Sequence, residues 1–224
     1  MKSVSSALPP LRAKPRLRGV SHQWAFFVSL VTGTTLVLAA PVGRAKLATA
    51  IYAASVAVLF GASALYHRVN WRSIAARRWM RRLDHSAIFV LIAGTYTPVA
   101  VIALDGPLAT AILIAVWAGA LAGIALKLLW IDAPKWVVSL TYVLLGWVAL
   151  AAFPELFTTL GVIPTLLILA GGILYTVGAV VYALKRPDPV PAVFGYHEVF
   201  HVLVIVAAAL QYAVIAFFVL PHAG

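Results

Sequence analysis

Seven long apolar stretches, separated by short polar or Gly- and Pro-bearing connections, dominate the chain: residues 22–40, 47–67, 84–104, 108–130, 134–153, 162–184 and 198–220. A helix rising about 1.5 Å per residue needs roughly 20 residues to cross a hydrocarbon layer about 30 Å thick, and each stretch is of that order. Lipid offers no partner to free backbone amides, so runs of this length must be helical. A membrane β-barrel would instead alternate polar and apolar positions along each strand. The expected fold is therefore all-α, a polytopic seven-transmembrane-helix bundle, with Pro98 tolerated as a kink in the third span. Two segments are expected: a basic, disordered tail over residues 1–19, rich in Ser and Pro, and the transmembrane domain over residues 20–221.

Composition agrees with this reading. The 224 residues are 63% hydrophobic and only 10% charged, against about a quarter charged in an ordinary soluble domain. Seven crossings use up the length and leave no room for a soluble domain. A net charge of +11 in a soluble protein would suggest nucleic acid; in a membrane protein the placement of the cations carries the information, and no nucleic-acid partner is expected.

That placement orients the bundle. Of the 17 Lys and Arg, all but Arg44 and Lys46 fall before the first span, in the connections that follow the second and sixth, or, as Lys127 and Lys135, flanking the connection that follows the fourth. Positive residues in short loops stay in the cytoplasm, so the amino terminus is expected inside and the carboxyl terminus outside. The apolar run after residue 19 exceeds the 7 to 15 residues of a signal peptide core, so the first span is expected to stay uncleaved. Within the segment WRSIAARRWMRR, the tryptophans and arginines suggest an interfacial anchor on anionic phospholipid.

The topology then brings polar residues to one depth. His67 closes span two, Asp84 opens span three, and His197 and His201 open span seven, all on the basic side. Ionisable groups at that depth are costly and should satisfy one another or a metal. His197 and His201 lie at i and i+4, on one helix face, as do Ser63 and His67. With cysteine absent, thiolate sites are excluded, and three neutral imidazoles suit Zn²⁺ with a fourth position left for water, which Asp84 can hold or deprotonate. His22, His85 and His222 read as interfacial residues. Tyr66, Tyr96, Tyr142 and Tyr196 read mostly as packing and boundary residues.

HEVFH at 197–201 also matches the H-E-x-x-H of zinc proteases, which would make Glu198 a general base. Those enzymes usually take their third ligand downstream. Here only His222, expected on the opposite side, follows, so the third ligand must come from His67, and Glu198 becomes an optional second base.

The segments SALYH (63–67), Asp84, AGTYTP (93–98) and FGYHEVFHVLV (194–204) together resemble the hemolysin III family. That family is the bacterial branch of the progestin and adipoQ receptor (PAQR) superfamily and is similar to alkaline ceramidases. The resemblance runs from about span one to the end of the chain. It implies a multi-pass protein of the bacterial cell (inner) membrane whose zinc ion is held by His67, His197 and His201, with Asp84 binding it through water and Ser63 beside it. It further implies that a membrane lipid is the partner, with hydrolysis of an acyl amide or ester bond as the leading activity, a zinc-dependent lipid amidohydrolase. A non-enzymatic sensor or homeostasis factor with structural zinc is the first alternative; a cytolytic protein is the second.

Overall fold

The computed structural model describes residues 14–223. Among them, seven helical segments are long and apolar enough to cross a membrane. In chain order the elements are α1 (Val20–Ala39), α2 (Arg44–Arg68), α3 (Ile74–Ile102), α4 (Gly106–Leu129), α5 (Lys135–Gly146), α6 (Phe153–Thr159), α7 (Val162–Leu184) and α8 (Tyr196–Val214). A 3₁₀ stretch, Trp147–Ala152, joins α5 to α6 into the fifth span, and α8 continues through a π turn, Ile215–Val219. Side chains such as Trp24, Val31, Leu38, Ile114 and Phe217 stand exposed around the outside. In water that surface would be unstable; in a bilayer it meets lipid.

Neighbouring spans pack in antiparallel pairs, α1 on α2, α2 on α3, α3 on α4 and α7 on α8, while α5 lies against α7. Apolar attraction between helices is weak in lipid, so close backbone approach through small residues does much of the packing. At Gly94 of α3 an added Cβ would come within 2.2 Å of Ser55 Oγ on α2. Phe89 takes the same role toward α4, its ring filling the space a side chain at Gly123 would need.

Three local features differ from the hydropathy pattern. The segment expected to be an interfacial loop is helical: Ser73 caps α3, accepting from the Ala76 amide at 3.4 Å, and the arginine-rich turns from Ile74 onward belong to α3. Their charge hides them from hydropathy, although arginine is a good helix former. This extension is fastened to the α4–α5 connection, where Arg78 and Arg81 hold Asp132 at 3.0 and 2.8 Å and Arg82 donates to the Leu128 carbonyl. The fifth span runs on to Thr159, past the expected end at 153, with Tyr96 tying its 3₁₀ break by donating to the Gly146 carbonyl and accepting from the Ala149 amide.

The third difference lies at the start. Residues 1–13 of the expected tail fall outside the described residues, but Lys14 to Gly19 form a turn rather than a loose end. The amides of Arg16 and Leu17 donate to the carbonyls of Ala192 and Val193, both at 3.1 Å, in the loop before α8.

Candidate metal centre

α2, α3 and α8 deliver the polar groups to one place, at the ends of these helices nearest the Lys14 to Gly19 turn. His67 sits in the last turn of α2, and His197 and His201 occupy the first two turns of α8. Each offers one ligand atom, and the three atoms lie within 4.8 Å of one another. His67 Nε2 and His197 Nε2 are 3.1 Å apart. A tetrahedral site with metal–nitrogen bonds of about 2.05 Å would separate its ligands by about 3.3 Å, so this pair already stands at the edge length of such a site.

All three imidazoles are buried, and His201 Nδ1 has no partner among the described residues. A buried nitrogen without a partner costs about 1 to 3 kcal/mol, a cost that coordination or ligand binding removes. The donor set therefore suits a divalent metal ion, with imidazole nitrogen and no thiolate.

Asp84, in α3, brings its Oδ2 to 3.7 Å from His67 Nε2. Ser63, one turn before His67 on α2, is buried and borders the same internal cavity as Asp84. Thus the carboxylate and hydroxyl expected beside the metal do converge on the histidines.

A fourth histidine joins them. The sequence pattern treats His22 as interfacial, but only 2% of it is exposed. Its ring stacks on His201 with centroids 3.7 Å apart and planes 10° from parallel, and its Nδ1 lies 2.8 Å from Ser63 Oγ. His22 opens the first span on the basic side, at the same depth as His67, so depth was a usable signal. As a lone histidine without a spaced partner, however, it offered no pattern. His85 is also drawn inward, its ring packing edge-on to Tyr182 with centroids 6.5 Å apart. His222 stays exposed at the other end of the bundle, as expected.

The histidines stand at one end of an internal cavity. Its polar end is lined by Ser63, Asp84, His85, Tyr142, His197 and His201. From there it runs between α3, α5, α7 and α8 to Leu104 and Ile112 near the far ends of α3 and α4, and those walls are almost wholly apolar. The volume is about 160 Å³, where a single water needs about 10 to 15 Å³ by the same measure.

A family model described as haemolysin-III related matches residues 11–212. The chain belongs to that family. It is 34% identical over 180 residues to hemolysin-3 of Bacillus cereus, covering 80% of this chain and 78% of the relative. It is 32% identical over 168 residues to a hemolysin-3 homolog of Bacillus subtilis strain 168, covering 75% of each. Seven membrane-spanning helices and bacterial relatives make this haemolysin-III protein a multi-pass protein of the bacterial inner membrane. The matched region contains all four histidines of the centre, together with Ser63 and Asp84.

Glu198 does not join the cavity wall of this haemolysin-III protein. It is 1% exposed, its Oε2 accepts from the Gly195 amide at 2.8 Å, and its Oε1 is paired with Arg18. Both carboxylate oxygens are thus committed to the cap of α8 and to the turn that precedes α1. That turn also grips α2, where Lys14 Nζ donates to the His67 carbonyl. Desolvation first, and then the nearby Arg68 and Arg18 charges, hold the Lys14 ammonium below its ordinary pKa.

Proposed function

We propose that this protein is a zinc-dependent hydrolase acting on the acyl amide or ester bond of a membrane lipid. The observation that carries the reading is the join between the buried triple-histidine group and a long apolar cavity that opens from it inside the bundle. An acyl chain suits the apolar walls, and its carbonyl would then lie among the polar groups at the mouth.

His67, His197 and His201 would hold the ion, which when bound supplies Lewis-acid polarisation and makes water a better nucleophile at neutral pH. Asp84 is placed to accept the proton of the attacking water at a carboxylate oxygen and to return it to the departing nitrogen or oxygen. Ser63, held by His22, would offer its one hydroxyl proton to the oxygen that gains negative charge. The apolar walls keep bulk water from the chain. Glu198 is spoken for by Arg18 and the helix cap, which favours Asp84 as the base.

The reading includes an orientation. With the basic loops retained inside, the centre lies just beneath the cytoplasmic headgroups, and the arginines at the start of α3 rest on anionic phospholipid. The test is purified protein in detergent with ceramide and phospholipid mixtures. Free fatty acid should appear, should vanish in His197→Ala, and should persist in His222→Ala. Release that is indifferent to His197→Ala would overturn the proposal.

A second reading, a sensor in which the ion only staples α2 to α8, draws on the burial of all three histidines and on their origin in two helices distant in the chain. It calls for loss of thermal stability on chelation with no lipid consumed.

A further inference from the structure

We propose that Arg18 and Glu198 are positioning residues for the metal centre, their ion pair setting the spacing of α2 from α8 and hence of His67 from His197 and His201. The inference rests on the metal reading above.

The three histidines come from two helices that are not neighbours in the chain, and α2 packs chiefly on α1 and α3 while α8 packs chiefly on α7. Apolar clusters tie α2 to α8 deeper in the bundle; at the histidine end the gap between them is spanned by a separate fastening. The turn from Lys14 to Gly19 touches both sides of it. On the α2 side, Lys14 donates to the His67 carbonyl, and Gly19 passes so close that a Cβ there would fall 2.5 Å from His67 Cβ. On the α8 side, Arg16 and Leu17 bond the carbonyls of Ala192 and Val193, and Arg18 pairs with Glu198, the residue directly after His197.

The pair is well sheltered, with side-chain exposure of 18% for Arg18 and 2% for Glu198. Glu198 has a second duty, since its other oxygen accepts from the Gly195 amide and fixes the start of the helix that carries two ligands. One carboxylate thus couples the direction of α8 to the turn that grips His67. In the zinc proteases with the same H-E-x-x-H string the glutamate acts on the substrate; here the geometry gives it an architectural task. Partners that orient metal ligands from outside typically change metal affinity by about 10- to 100-fold when removed.

The decisive comparison is the rate at which a chelator strips zinc from wild type, Arg18→Lys, Arg18→Met, Glu198→Gln and the apolar double variant Arg18→Met/Glu198→Met. Arg18→Met and Glu198→Gln should each lose zinc about tenfold faster or more, with Arg18→Lys in between. The double variant should lose less than the product of the two single effects, because neither charge is left buried alone. A wild-type rate in Arg18→Met overturns the proposal. So does a Glu198→Gln protein that keeps its zinc but loses lipid hydrolysis, the result expected of a catalytic base.

A metal-independent arm separates this proposal from the zinc reading. The protein contains no cysteine, so spin labels can be attached cleanly through Val69→Cys, just after α2, and Val202→Cys, on the exposed side of α8. In zinc-free protein the distance distribution between them should broaden and shift in Arg18→Met and recover in Arg18→Lys. An unchanged distribution in Arg18→Met overturns the clamp even if zinc binds as described; a distribution that shifts in Arg18→Met while wild type takes up no zinc keeps the clamp and sinks the metal reading alone.

Discussion

His22 stacks face to face on His201, ring centroids 3.7 Å apart, while its Nδ1 reaches Ser63 Oγ at 2.8 Å. One side chain of α1 therefore backs a ligand on α8 and orients a hydroxyl on α2. Replacing it by Ala removes the stack, the hydrogen bond and a buried ring together, a loss of about 2 to 4 kcal/mol by comparison with other large-to-small changes. In a detergent melt His22→Ala should unfold several degrees below wild type and bind zinc about tenfold more weakly. His22→Phe keeps the ring and should recover most of the stability while Ser63 stays unheld and turnover stays low. Equal behaviour of the two variants would contradict the division of labour.

Removing the metal should cost stability as well as activity. A chelator strong enough to strip the site should lower the melting temperature of wild type and leave His67→Ala, already defective in binding, almost unmoved, since a ligand that binds only the folded state stabilises it by mass action. Calorimetry with and without chelator on both proteins checks this; an equal shift in both would place the chelator's effect elsewhere.

The cavity should select chain length. Gly172 lies in its α7 wall, and a side chain added there meets nothing within 4 Å. Gly172→Phe should therefore fill the passage without displacing the helix. Hydrolysis of long-chain lipids should fall about tenfold or more relative to short-chain ones while zinc content is unchanged, as read from competition assays with a mixed-chain substrate. Uniform loss across chain lengths would mean the chain lies somewhere else.

Gly19 should be intolerant for two separate reasons. Its φ of 78° lies in the left-handed region, where a side chain costs about 1 to 2 kcal/mol, and a Cβ would collide with His67. Gly19→Ala should be less stable than wild type and retain less zinc, whereas Gly43→Ala, also at positive φ but in open space, should lose stability without losing metal. Thermal melts with parallel metal analysis separate the two.

How much of this was legible beforehand follows from what each signal measures. Hydropathy reports the lipid-facing surface, so all seven spans were visible, but it is blind to a helix continuing past the membrane on Arg78, Arg81 and Arg82, and to the 3₁₀ break after Gly146. Depth and the i, i+4 spacing brought out His197 and His201, and shared depth added His67 and Asp84. His22 was passed over because its partners, Ser63 and His201, lie on other helices and leave no local spacing. The H-E-x-x-H string pointed to Glu198 as a base; nothing local could reveal Arg18, 180 positions away, as its partner.

Metal analysis of the purified protein is the most direct test of a histidine-held ion. One divalent ion per chain should be found in wild type and in His222→Ala, and almost none in His67→Ala, His197→Ala or His201→Ala. Wild type that is folded, stable and free of metal after growth with zinc, or an ion that survives all three substitutions, would contradict it.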